Sequence, residues 1–122
     1  MWDLKVKPQL KGLPAPPWEG IIPQYFKSAY LGDPPIWTST VTVPKRVIER
    51  VGYFKVGRGE DLDMWGRIAM NYPIAFSWHI GGIYYQNASN RSIYGDYLVK
   101  EGEFPFVSSA QKAIKQKGIP LL

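Results

Sequence analysis

Proline placement constrains this chain more than any other feature of the sequence. Of 122 residues, 11 are proline and 12 are glycine, and they cluster. Within residues 7–17, Pro14, Pro16 and Pro17 occupy three of four consecutive positions, which removes backbone donors and holds the chain extended. Residues 1–20 therefore read as an extended arm or linker, and residues 21–122 as the folded part. The Gly32-Asp33-Pro34-Pro35 run closes a first segment in which Ile21, Ile22, Tyr25, Phe26, Ala29 and Tyr30 recur with helical period, with Pro23 tolerated in the first turn. This predicts a helix over 21–31. Residues 36–43 (IWTSTVTV) are rich in β-branched side chains and bounded by prolines, which predicts a strand.

Pro44 suits a helix's first position, so a two-turn helix is expected over 44–51, with Gly52 as a left-handed terminator. A glycine-bearing loop then leads into residues 60–71. Glu60, Asp61 and Asp63 lie in the first turn, where the helix dipole favours carboxylates, and Leu62, Trp65, Ile68 and Ala69 make an apolar face. Pro73 ends that helix. Residues 74–78 and 80–86 read as one or two strands separated by His79, with Gly81-Gly82 marking a bulge or a close backbone approach. Residues 87–106 read as loop. Residues 108–118 read as a small solvent-exposed helix opened by a Ser108…Gln111 capping box.

Composition excludes several function classes. With no cysteine and one histidine, disulfide frameworks, thiolate metal sites, Cys nucleophiles and His-rich metal sites are ruled out. The net charge of +5 is scattered, which argues against a nucleic-acid tail or a polybasic membrane anchor. Apolar residues at 45% and aromatics at 15% supply a core and leave aromatic surface over. No run approaches 18 apolar residues and the N-terminus has no apolar signal region, so a cytoplasmic location is expected. The sequons at Asn87 and Asn90 are close to chance expectation, and Gly57-Arg58-Gly59 is only a superficial match to a phosphate-cradling loop.

The segment most informative about chemistry is Gly59-Glu60-Asp61-Leu62-Asp63-Met64-Trp65-Gly66-Arg67. A glycine turn feeding acids at a helix start places carboxylates where a substrate can reach them, although acidic caps that only stabilise a helix are common and contribute about 1 kcal/mol. Adjacent acids point about 100° apart on a helix, so Glu60 and Asp61 need not share a role.

Residues 39–54 (STVTVPKRVIERVGYF), 59–69 (GEDLDMWGRIA) and 72–75 (YPIA) together resemble, in order and spacing, the later half of the catalytic domain of family 2 glycosyltransferases, which have the GT-A fold. The resemblance implies inverting transfer of a sugar from a nucleotide-sugar donor to an acceptor hydroxyl, with Asp61 as catalytic base and Glu60 as a catalytic-site partner that binds the acceptor or orients the loop. It implies substrate-binding roles for Trp65, Arg67 and Asp63: Trp65 stacks a sugar or anchors its helix, and Arg67 contacts diphosphate or pairs with Asp63. His79 is either a late metal ligand of the kind some relatives carry or a structural histidine.

Nothing before Tyr25 matches the family's nucleotide-binding βαβ half or its Asp-x-Asp metal motif, and Asp61-Leu62-Asp63 sits inside the Glu-Asp helix. The expectation is thus an α/β chain with a partial GT-A-like fold, a short mixed sheet with flanking helices, lacking the N-terminal nucleotide-binding half and inactive alone. The divalent metal of the complete enzyme (Mg or Mn) would be held mostly outside this chain. Expected partners are the nucleotide-sugar donor, a glycan, lipid-linked or other hydroxyl acceptor, and a second copy or the missing half to cover an unpaired sheet edge. Peripheral contact with the inner face of a membrane is compatible with a lipid-linked acceptor. The rival readings are a non-catalytic module binding carbohydrate or single-stranded nucleic acid, and a structural remnant without a ligand.

Overall fold

A computed structural model describes residues 7–83, 85 and 105–118. Its described part is a small mixed α/β structure of four helices and one two-stranded antiparallel sheet. The elements are β1 (Glu19–Ile21), α1 (Tyr25–Leu31), a 3₁₀ turn (Thr38–Thr40), α2 (Lys45–Val51), α3 (Glu60–Ala69), β2 (Ala75–Ser77) and α4 (Pro105–Lys117). The core is the inward face of α3: Met64, Trp65 and Ile68 are buried with Val47 of α2, and Tyr25, Ile36, Val41, Val43 and Ile74 pack around them.

The apolar stripe at 21–31 is divided between two elements. Ile21 pairs with Ala75 and the Ile22 N–H donates to the Ile74 carbonyl at 2.8 Å, so the residues before Pro23 join the sheet and only Tyr25–Leu31 is helical. Pairing with a neighbouring strand satisfies donors that a first helical turn would leave orphaned.

The strand expected over 36–43 is a 3₁₀ turn at Thr38–Thr40 between extended flanks at Trp37 and Val41. Both the backbone N–H (3.0 Å) and the hydroxyl (3.4 Å) of Thr40 reach back to the Trp37 carbonyl, the local competition by which Ser and Thr turn a chain out of a ladder. The sheet among the described residues is accordingly antiparallel and two-stranded, rather than mixed.

Helix α2 begins at Lys45, one residue later than expected, with Pro44 as its extended N-cap in place of its first helical residue, and Gly52 ends it at φ 94°, a conformation a side chain resists. Helix α3 opens from Gly59 in the left-handed conformation. Residues 80–83 carry no regular structure, so the second strand expected at 80–86 is not seen there; residues 84 and 86, the sequons and most of the predicted 87–106 loop lie outside the described residues. The expected close approach at Gly82 is present, since a Cβ there would stand 2.8 Å from Thr40 Cγ2.

Two further expectations need correcting. Helix α4 begins at Pro105, three residues before the predicted capping box, and it is not merely a solvated helix: Ser109 and Ala110 are buried against α3. Phe106 lies so close over Gly66 that a Cβ at 66 would come within 2.3 Å of its ring. The proline-rich arm is fastened to the fold along residues 9–14. Gln9 and Asp33 exchange two hydrogen bonds (2.7 and 2.9 Å), and the Trp78 indole N–H donates to the Pro14 carbonyl at 2.9 Å. No helix among the described residues is long and apolar enough to cross a membrane.

Candidate functional site

The acids of the Glu-Asp segment separate into two environments because the helix turns them to different sides. Glu60 is exposed and Asp61 half-buried, whereas Asp63, two residues on, has no exposure at all. The Asp61 carboxylate uses one oxygen locally: Oδ1 accepts the Leu62 N–H at 2.8 Å, one of the first-turn donors that lack an intrahelical partner. Its Oδ2 accepts the Thr38 hydroxyl at 3.2 Å, from the 3₁₀ turn. That distance is long for an O–H···O bond, so the contact is a weak one and exchangeable. The phenol of Tyr25 stands near enough to feel this charge. Burial first, and Asp61 second, push its pKa up to about 12, so Tyr25 is a neutral donor throughout the ordinary pH range.

Asp63 and Arg67, four residues apart, form a buried ion pair (Nε to Oδ2, 2.9 Å). The other Asp63 oxygen accepts the Ser109 hydroxyl at 2.6 Å, and the Lys55 ammonium completes the cluster by donating to Ser109 Oγ at 2.6 Å and standing 3.8 Å from Asp63. The guanidinium's remaining donors go to the carbonyls of Val51 (2.6 Å), Gly52 (2.9 Å) and Tyr53 (2.9 Å). Arg67 thus satisfies three consecutive carbonyls at the C-terminal end of α2, where the helix dipole also favours a cation. Arg67 is 8% exposed and Trp65 3%; the Trp65 ring meets Phe54 edge-on at 5.8 Å. Of the alternatives open in the sequence, pairing of Arg67 with Asp63 and anchoring of the helix by Trp65 are the contacts these side chains make.

Asp63 has no carboxylate oxygen left over for a divalent metal. Both Asp63 oxygens are engaged beneath packed side chains, which removes the second acid of Asp61-Leu62-Asp63 as a ligand. Exposed His79 brings no acid cluster with it: no group of three or more His, Asp or Glu placed to hold a metal occurs among the described residues. A depression of about 300 Å³ lies on the outer face of α4, lined by Ser108, Gln111, Lys112, Lys115 and Gln116. Neither Glu60 nor Asp61 lines it, and its walls come from one helix.

Thr38, Tyr25, Lys55 and Ser109 were not among the residues singled out from sequence. Thr38 was hidden in a strand-like β-branched run and Tyr25 in a helical stripe. Lys55 and Ser109 meet Asp63 only through tertiary packing across 8 and 46 positions, which no local pattern carries. No protein-family model matches this chain, and no curated protein and no solved structure matches it at a significant level.

Proposed function

We propose that this chain is the acceptor-side part of an inverting glycosyltransferase of family 2 type, with Asp61 as the general base. The reading rests on the order of motifs described above, and one observation favours Asp61 over Asp63. It is the half-exposed acid of the segment and forms no ion pair among the described residues, while Asp63 is consumed by Arg67 and Ser109. In the step proposed, an acceptor hydroxyl takes the place of the Thr38 hydroxyl on Asp61 Oδ2 and passes its proton there. Its oxygen bonds to the anomeric carbon from the face opposite the nucleotide, and the carbon–oxygen bond to the diphosphate breaks with its electron pair leaving on the diphosphate. Asp63, Arg67 and Trp65 hold α3 at the angle that presents Asp61.

A positioned base contributes about 10²–10⁴ in rate, and leaving-group stabilisation must come from a nucleotide-binding half. The test joins such a half to this chain and assays transfer from nucleotide sugars to hydroxyl acceptors. Asp61→Asn is expected to lower turnover by about 10²–10⁴ with the fold intact, and Glu60→Gln by less. Unchanged turnover in Asp61→Asn sinks the assignment, and a joined protein that transfers nothing sinks the family reading.

A further inference from the structure

We propose that residues 9–14 form a strap that opens as one unit on the otherwise folded protein, uncovering Ser28 and releasing the C-terminal end of α1. The strap is held at three places. Over the end of α1, the Gln9 N–H donates to Asp33 Oδ2 at 2.7 Å and the Asp33 N–H returns a bond to the Gln9 carbonyl at 2.9 Å. In the middle, Gly12 lies on Ser28, since a Cβ at Gly12 would stand 3.5 Å from Ser28 Cα. At the far end, the Pro14 carbonyl accepts the Trp78 indole N–H at 2.9 Å, just past β2.

What lies beneath the strap favours its opening. Ser28 has no exposure at all, and its hydroxyl has no hydrogen-bond partner among the described residues. Closing the strap strips water from that hydroxyl without supplying a substitute, so the closed state carries a desolvation penalty that the open state lacks. Little offsets it. No residue from 7 to 17 is buried, only Leu10 and Leu13 are half-buried, and none belongs to the core cluster. The bonds from Gln9 to Asp33 Oδ2 and from Trp78 to Pro14 lie at exposed positions, where water competes for both partners. Few apolar contacts and solvated hydrogen bonds mark a segment that opens at a lower free energy than global unfolding.

The opening reaches α1 because strap and helix meet at one end. The cap bond of α1 runs from the Gly32 N–H to the Ser28 carbonyl at 3.2 Å, and Gly32 is packed so tightly against Gln9 that a Cβ there would collide with the Gln9 carbonyl. With Gln9 lifted, Gly32 and Asp33 lose their cover and the Ser28 hydroxyl is hydrated. Helix α1 has seven residues, and its other braces, Tyr25 against the core and Phe26 stacked on Phe106 at 5.7 Å, both lie at its N-terminal end. The strap is therefore the device that sets the order of the last turn of α1.

The inference stands on the strap's own contacts and is independent of the transferase reading. The test is amide hydrogen exchange of the full chain, resolved residue by residue by nuclear magnetic resonance. The amides of Gln9, Gly32 and Asp33 are expected to share one protection factor, lower by about tenfold or more than those of Met64 and Ile68 in α3. Ser28→Ala removes the buried hydroxyl and should slow exchange at all three about fivefold or more. Trp78→Phe, which lacks the indole donor, should speed all three, Gly32 included, although that residue is far from the change in sequence. Exchange of the three amides only at the rate of Met64 and Ile68 overturns the proposal, as does a Ser28→Ala variant that exchanges as fast as the parent, or a Trp78→Phe variant in which Gly32 is unmoved.

Discussion

Arg67→Met is the substitution whose consequence follows most directly from the geometry. It removes four hydrogen bonds at once, one to Asp63 and three to the carbonyls of Val51, Gly52 and Tyr53. Asp63 then stays fully buried with only the Ser109 hydroxyl at 2.6 Å and the Lys55 ammonium at 3.8 Å to offset its charge. Removing one partner of a buried pair costs about 3–5 kcal/mol, because the survivor keeps its desolvation penalty. The carbonyls add less, since Gly52 and Val51 are only half-buried and water can reach them. A domain of this size has about 6–15 kcal/mol of stability to lose, so the variant should forfeit a large share of it. Urea unfolding followed by tryptophan fluorescence reads this as a midpoint lower by about 1 M or more at a slope of about 1–3 kcal/mol per M. Arg67→Lys should fall between parent and Met, because an ammonium keeps the charge and cannot span the carboxylate and three carbonyls together. The double variant Asp63→Leu/Arg67→Met should be less unstable than the sum of the singles. A midpoint for Arg67→Met within about 0.3 M of the parent refutes the reasoning.

Other outcomes follow from single contacts. Gly66→Ala drives a methyl into the Phe106 ring and should lower stability by about 1–3 kcal/mol despite alanine's better helix propensity, with Phe106→Leu restoring much of it in a thermal melt. Thr38→Val removes a long, exposed hydrogen bond and should change stability by less than about 1 kcal/mol; a larger loss would make that contact part of the fold's frame. Tyr25 keeps its proton in the folded state up to about 12 and loses it near 10 when unfolded, so the folded state binds the extra proton between those values. Stability should therefore be fully present below pH 10 and decline between about 10 and 12, and a flatter alkaline limb in Tyr25→Phe checks it by urea titration.

How much of this was legible beforehand depended on how local the cause was. Helix α3 was readable because acids, apolar spacing and a closing proline lie within one segment, and α2 because Pro44 and Gly52 bracket it. The 36–43 segment misled because β-branched composition signals a strand only where a partner strand exists, and here Thr40 turns back onto Trp37 instead. The start of α4 was missed because Phe106 is placed by the absence of a side chain at Gly66, forty residues earlier. At the site, Asp61 could be singled out only through the family resemblance, since Glu60 and Asp63 share its helical turn. Its separation in character from Asp63 could not, because that depends on Ser109 and Lys55 arriving from elsewhere in the chain.

Arg67's grip on three successive carbonyls has a practical corollary for engineering. With the backbone clamped at Tyr53 on one side and α3 started at Gly59 on the other, both stems of the intervening stretch are set by contacts that do not involve Val56 or Gly57. Foreign peptides spliced between those two positions should be tolerated as passengers, making this bend a natural mount for epitope tags or reporter sequences.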